Sequence, residues 1–229
     1  MTEAKNLRRR CAILAVFAAG ALLTAPTASA SPDGCADLGG VVENRGICHI
    51  QAQTPAYTMD VKYPVNYSDV QAIVDYLNQT KAGFLNLAET PGARNLPYEM
   101  DVTAQSFRSA QTRSAVLKLF QNVGSAHPTT WYKAFTFDVN KNQPVTFDTV
   151  FPPGALQQIF PIVQRELETQ TGLTGSISPG DGLDPSHYQN FAITDDSVIF
   201  FFGRAELLPS YADATSVAIP RAEIPALQI

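Results

Sequence analysis

Two five-residue segments constrain this chain most: Tyr57-Thr58-Met59-Asp60-Val61 and Tyr98-Glu99-Met100-Asp101-Val102. In each, Tyr, Met and Val alternate with polar residues, which is the pattern of a strand with one buried face. Their likeness reads as two half-buried strands drawing on the same residue types; an internal repeat is the other reading. Between them, Ser68-Asp69-Val70-Gln71 has capping-box spacing. Val70, Ile73, Val74, Leu77, Phe84 and Leu85 then form an apolar stripe, which predicts a helix to about Ala88, ended by Thr90-Pro91-Gly92.

Further strands are expected at 114–121 and 130–139, joined by the 124–128 loop, and a short one at 145–147. Residues 188–194 should pair with 197–203 across an Asp195-Asp196 turn. Phe200 and Phe202 share one face there, Ile199 and Phe201 the other, so both faces should be covered. A strand at 215–219 and a short helix close the chain. A helix is expected over 160–171, with Pro161 in its first turn and Gly172 at its C-terminal end. Short turns join most strand neighbours, so antiparallel pairing should dominate. No βαβ alternation and no Gly-rich phosphate loop is legible. The class is α+β, a mostly antiparallel sheet with packed helices.

Residues 1–30 read as a secretory signal peptide. Lys5 and Arg8-Arg9-Arg10 precede an apolar run, and Ala28-Ser29-Ala30 is a small-residue cleavage site. The apolar run of about 15 residues falls short of the roughly 20 that span a bilayer, so stable membrane insertion is not expected. Cleavage near Ala30 leaves 229 − 30 = 199 residues and a formal charge of 12 − 20 = −8. The remaining cations are scattered, which disfavours nucleic acid as a partner. Cleavage also reduces three cysteines to two, and outside the cytoplasm Cys35 and Cys48 read as a disulfide. Such a bridge is worth about 3 kcal/mol and would pin an N-terminal arm.

No catalytic motif stands out. The Gly-x-Ser-x-Gly elbow is absent. Two serines neighbour histidines, Ser125 with His127 and Ser186 with His187, and these four are the candidate catalytic residues. The competing reading makes both histidines loop residues bonded to backbone or water. His49, His127 and His187 lack metal-ligand spacing, and Asp181-x-x-Asp184 lacks the calcium-loop pattern, so no metal or cofactor is expected. Glu99 and Asp101 share a strand face, which a solvent-facing surface explains as well as glycoside chemistry does. Trp131, Lys133, Phe135 and Phe137 also share a face, where Lys133 can snorkel outward or meet an aromatic ring.

Three stretches carry a resemblance. They are Asn122-Val123-Gly124-Ser125-Ala126-His127-Pro128-Thr129-Thr130-Trp131-Tyr132-Lys133-Ala134-Phe135, then Pro144-Val145-Thr146-Phe147-Asp148-Thr149-Val150-Phe151, then the segment from Gly182-Leu183-Asp184-Pro185 to Glu206-Leu207-Leu208-Pro209. Together they resemble the secreted immunogenic-protein antigens of mycobacteria, over nearly the whole mature chain and including the cysteine pair. Residues from about 115 to 225 more distantly resemble the extracellular domain of the lysozyme-sensing anti-sigma factor.

The resemblance implies a secreted or cell-envelope protein with a β-grasp-like element, recognised by the host immune system. It implies a binding partner such as a lysozyme-like hydrolase or a host factor. Signalling is not implied, because no sigma-binding part is legible. The expected organisation is a signal peptide at 1–30, an N-terminal subdomain with the disulfide arm at 31–112, and an antigen-like C-terminal subdomain at 113–229. The expected function is that of an exported, monomeric, immunogenic protein acting by binding. The alternative is a secreted carboxylesterase-type hydrolase, although no family motif places a nucleophile in this chain.

Overall fold

A computed structural model describes residues 34–125 and 127–229. The expected signal peptide and its cleavage site lie outside the described residues. Disulfide-bonded Cys35 and Cys48 have Cα atoms 5.6 Å apart. The bridge ties the first described turn to the strand β2 (Ile47–Gln53), which forms an edge hairpin with β1 (Val41–Glu43). Leu38, inside the bridged loop, is buried, and its carbonyl accepts from the Lys81 ammonium at 2.7 Å.

β3 (Tyr57–Pro64) leads into α1 (Val70–Ala88), and α1 into β4 (Tyr98–Arg108). β3 and β4 are adjacent and parallel, with Tyr57 opposite Tyr98, Met59 opposite Met100 and Val61 opposite Val102. The twin pentads are therefore side-by-side partners in register. This corrects the expectation that βαβ alternation is absent: β3, α1 and β4 are one such unit. Tyr, Met and Val recur because both strands present the same inner row to α1. Met59, Val61, Met100 and Val102 bury with Ile73, Val74, Leu77 and Phe84. The Ser68 capping box does not form. Asp69 is the N-cap residue, and the Gln71 amide instead donates to Asp75 at 2.7 Å.

β5 (Thr112–Asn122), β6 (Thr129–Asp138) and β7 (Gln143–Pro144) complete a seven-stranded sheet in chain order, antiparallel except for β3–β4. The expected subdomain boundary after residue 112 falls at the start of β5, in a hairpin that pairs from Glu99–Asn122 to Arg108–Arg113. On the inner face the Trp131 indole N–H donates to the Tyr76 hydroxyl at 2.8 Å. The Lys133 ammonium lies 5.7 Å from the Tyr76 ring and 5.5 Å from the Phe135 ring, a cation–π contact.

The expected strand at 145–147 is instead the start of α2 (Phe147–Val150), because Thr146 and Thr149 form a reciprocal capping box. α3 (Leu156–Thr171) begins a turn earlier than expected, so Pro161 sits inside the helix. Burial of Leu156, Ile159 and Phe160 accounts for the extra turn. Gly172 ends the helix at φ 73°, in the left-handed region that glycine tolerates best. After α4 (Pro179–Gly182) and a 3-10 turn at Pro185–Tyr188 come β8 (Phe191–Ile193), β9 (Ser197–Phe202) and β10 (Thr215–Pro220). They form a second, antiparallel sheet ordered β10-β9-β8. The expected closing helix is a 3-10 turn at Arg221–Glu223.

The central strand β9 is covered on both faces, as its sequence predicts. Val198, Phe200 and Phe202 pack with α3 through Ile159, Val163 and Leu167. Phe201 and Ala192 pack on Val116 of β5, and the Thr136 hydroxyl of β6 donates to the Phe191 carbonyl at 2.9 Å. The layers run helix, large sheet, small sheet, helix. The small sheet covers β5, β6 and the Phe107 end of β4, where the Phe107 and Phe201 rings lie 5.8 Å apart. Over β2, β3 and the first half of β4 that face stays open and polar.

Candidate functional site

The loop after α3 is built to hold the 3-10 turn Pro185–Tyr188 in place. A Cβ on Gly182 would lie 2.0 Å from the Phe160 ring, so only glycine fits against it. Tyr188 is fully buried and its hydroxyl donates to the Gly182 carbonyl at 2.8 Å. Burial pushes that phenol well above its usual value, so it stays a neutral donor. Asp184 caps the turn by accepting the Ser186 backbone N–H at 2.8 Å. That bond and the Ser186 hydroxyl hold the Asp184 carboxyl below the usual carboxylate range.

His187 is half-buried near the end of this turn. Across from it lies Glu206, whose carboxylate accepts the Gly203 N–H at 2.6 Å. Burial raises the Glu206 carboxyl above its usual value, and Gly203 and the His187 charge only partly pull it back. The next residue after Gly203 ties in the other candidate loop. The Arg204 guanidinium donates to the Pro128 carbonyl at 2.7 Å, and its backbone N–H to Thr130 at 2.8 Å. Arg204 thus holds Pro128 and Thr130 against the turn that carries Glu206, and the His187 charge acts on that carboxylate. Sequence reasoning offered no signal for Glu206, which is brought to His187 by a turn and not by spacing.

Neither serine–histidine pair is assembled as a nucleophile and base. Ser125 donates its hydroxyl to the His127 carbonyl at 2.8 Å. Ser186 meets Asp184 through its backbone N–H, at 2.8 Å, and its hydroxyl adds to the pull on that carboxyl. Among the described residues, no hydrogen bond joins either hydroxyl to an imidazole. In a 3-10 turn consecutive side chains point about 120° apart, which is why Ser186 and His187 diverge. Asp181 likewise bonds Ser178, at 2.8 Å.

A cleft of about 420 Å³ opens beside this turn. Phe147, Phe151, Pro152, Leu156, Leu183 and Pro185 give it apolar walls, and the side chains of Asp148 and Gln157 reach its rim. Its size and lining suit a small apolar group.

The open face of the large sheet carries the other concentration of charge. The His49 ring bonds Glu43 at 2.6 Å and Asp60 at 3.0 Å. Asp60 faces Asp101 across the parallel pair, with Glu99 one row away. Burial and the Asp60 charge raise the Asp101 carboxyl, and burial and Asp101 raise Glu99. Burial also acts on Asp60, but bonds from Gln51 and His49 outweigh it and lower its carboxyl. A shallow cleft of about 390 Å³ runs over Gln51, Gln53, Thr58, Asp60 and Asp101. No group of three or more metal-ligating side chains occurs among the described residues.

A carboxyl with a raised pKa costs stability while it is ionised, and the cost fades as pH falls through that pKa. Asp101→Asn should therefore stabilise the protein at pH 7, by up to about 1 kcal/mol, the scale of a cross-strand pair. The gain should shrink towards pH 4. Urea unfolding at the two pH values measures it, and an equal gain at both would mean that repulsion is not its source.

The fold and site define an α+β protein with a helix packed on a mixed seven-stranded sheet and a loop-built polar site beside an apolar cleft. Residues 148–222, from α2 through β10, match the family model described as "Protein of unknown function (DUF3298)". The chain is 51% identical over 221 residues to the esterase Rv3036c of Mycobacterium tuberculosis, covering 94% of this chain and 97% of that protein. It is 45% identical over 183 residues to the immunogenic protein MPT64 of M. tuberculosis and to MPB64 of M. bovis, covering 77% of this chain and 80% of theirs. This protein belongs to that mycobacterial immunogenic-protein family, with a DUF3298 domain. A DUF3298 protein of Bacteroides fragilis is a structural neighbour at TM-score 0.49 and 12% identity, covering 80% of this chain and 92% of its own. Among the described residues, no helix is long and apolar enough to cross a membrane.

Proposed function

We propose that this is an exported member of the immunogenic-protein family that hydrolyses carboxylic esters. The observation that carries the reading is the 51% identity to a protein named an esterase, over 94% of this chain. The signal-like residues 1–30 support export. The apolar cleft beside the Pro185–Tyr188 turn would take a short acyl group. Ser186 stands next to that cleft, and His187 is the imidazole whose charge reaches both Asp184 and Glu206. Turnover requires the Ser186 hydroxyl to reach an imidazole, a tightening that substrate binding can supply.

A second reading is favoured by one observation: among the described residues neither candidate hydroxyl is hydrogen-bonded to an imidazole, and that of Ser125 is bonded to a carbonyl. On that reading the protein acts by binding without turnover. The partner would be a protein, a lysozyme-like hydrolase or a host factor, and the open acidic sheet face would suit a basic one.

Hydrolysis of p-nitrophenyl butyrate by the purified mature protein decides between them. On the ester reading Ser186→Ala and His187→Ala each cut kcat by about 100-fold or more, the usual contribution of a positioned base. Activity that survives separate changes at Ser125, His127, Ser186 and His187 would overturn these residues. A folded protein that hydrolyses no short-chain ester overturns the ester reading itself. Pull-down of lysozyme at low salt then tests the binding reading, which its absence would remove for that partner.

A further inference from the structure

The parallel pairing of β3 and β4 stops at Val61–Val102. Beyond that point β3 departs through Pro64, Asn66 and Tyr67 towards α1, while β4 continues along β5. A cavity of about 220 Å³ lies at the place of departure. A crevice beyond the carboxyl ends of parallel strands, where the crossover leaves the sheet, is where open α/β sheets take ligands.

The lining of this cavity runs against the charge of the chain. The whole sequence carries a formal charge of −5. Yet the cavity is lined by Arg45 and Arg113 and by no carboxylate. Among the described residues, neither guanidinium takes part in an ion pair. One nitrogen of Arg113 donates to the Ser109 and Thr112 carbonyls, at 2.7 and 2.8 Å, which fixes the plane and leaves its other N–H groups unspent. Ser106, Asn66 and Tyr67 add polar groups to the same wall, and Tyr67 is a phenol that burial and the Asp69 charge keep protonated. Ile47, Pro64 and Phe107 form the apolar side.

We propose that this cavity binds a small organic carboxylate, its charged end held by Arg45 and Arg113 and its apolar body lying against Phe107. Guanidinium forks match a carboxylate with two parallel hydrogen bonds, and two unpaired ones on a single cavity supply the charge that such a ligand needs. The volume admits one ring or a short chain. The assignment is independent of ester hydrolysis, since none of the lining residues belongs to the Pro185–Tyr188 turn or its cleft.

Titration of the purified mature protein with benzoate, benzamide and inorganic phosphate, followed by amide chemical shifts and calorimetry, tests it. Benzoate is expected to bind, shifting amides at 45–47, 65–67 and 106–114. Benzamide, equal in shape but neutral, should bind at least tenfold more weakly. Arg113→Ala should weaken benzoate at least tenfold. Arg45→Gly should do the same without harming the fold, because Arg45 sits at φ 72° in an exposed turn where glycine is favoured. Equal binding of benzamide, or an Arg45→Gly protein that binds benzoate unchanged, overturns the proposal. Phosphate binding without benzoate binding overturns it too, by making the cavity a site for inorganic oxyanions.

Discussion

Phe200→Ala should cost about 3–5 kcal/mol of stability, the usual range for deleting a buried aromatic ring. Phe200 is fully buried at the centre of β9. Its ring centroid lies 5.4 Å from Tyr188, 5.9 Å from Phe151, 6.2 Å from Phe191 and 6.4 Å from Phe147. These rings come from three segments, α2 with its C-cap Phe151, the 3-10 turn and β8, and Phe200 is what they share. Truncation removes the transfer energy of the ring and leaves a void that none of the four can fill without moving its own segment. Tyr188 anchors the turn that bears Ser186 and His187, so the same change should loosen that turn. Urea unfolding of the mature protein gives the magnitude. A loss under about 1 kcal/mol would mean that the surrounding rings collapse freely, against the close packing argued here.

Replacing both bridged cysteines, Cys35→Ala with Cys48→Ala, should cost about 3 kcal/mol on the chain-entropy account of a loop this short. The bridge spans a sequence separation of 13 residues. Its loop carries Leu38 into the core beneath α1 and hangs its carbonyl on Lys81. The effect should therefore be local as well as global. Hydrogen exchange should find residues 34–50 opening far more readily than β4, β5 and β6. A loss below about 1 kcal/mol would assign the arm to Leu38 and Lys81 alone, with the bridge contributing little beyond them.

Alternation made most of the strands legible, because a sheet face that meets a core repeats every second residue. β3, β4, β5, β6, β9 and β10 lie where that period places them. What the period does not carry is which strand lies beside which. The twin pentads disclosed a common inner row, but their adjacency depends on α1 returning the chain along the sheet, and no residue in either pentad encodes that. Local chemistry misled where burial competed with it. Pro161 reads as a helix start, yet Leu156, Ile159 and Phe160 gain more by joining the helix than a missing N–H costs. Val145 to Phe147 reads as a strand until Thr146 meets Thr149.

The candidate site was less legible for the same reason. Closeness in sequence suggested Ser125 with His127 and Ser186 with His187, whereas backbone geometry turns each pair apart. Glu206 and Arg204 reach the site from a turn that follows β9, and nothing in their neighbours marks them. The arginines of the further cavity come from a hairpin turn and a strand start. Only the fold brings them together.

The parallel pair also orders events in time. The hairpins β2–β3, β4–β5 and β5–β6 each close over a few residues, whereas Tyr57 meets Tyr98 only after 41 intervening steps along the chain. Closing so long a loop costs more chain entropy than any of the turns, and its reward waits for α1 to dock. The β2–β3 and β4–β6 pieces can thus exist before they are joined, and α1 is the clasp that joins them. Cys48 belongs to the first piece, so its bond to Cys35 can form on the near side of that slow step. An exported chain could then be oxidised before its two halves have met.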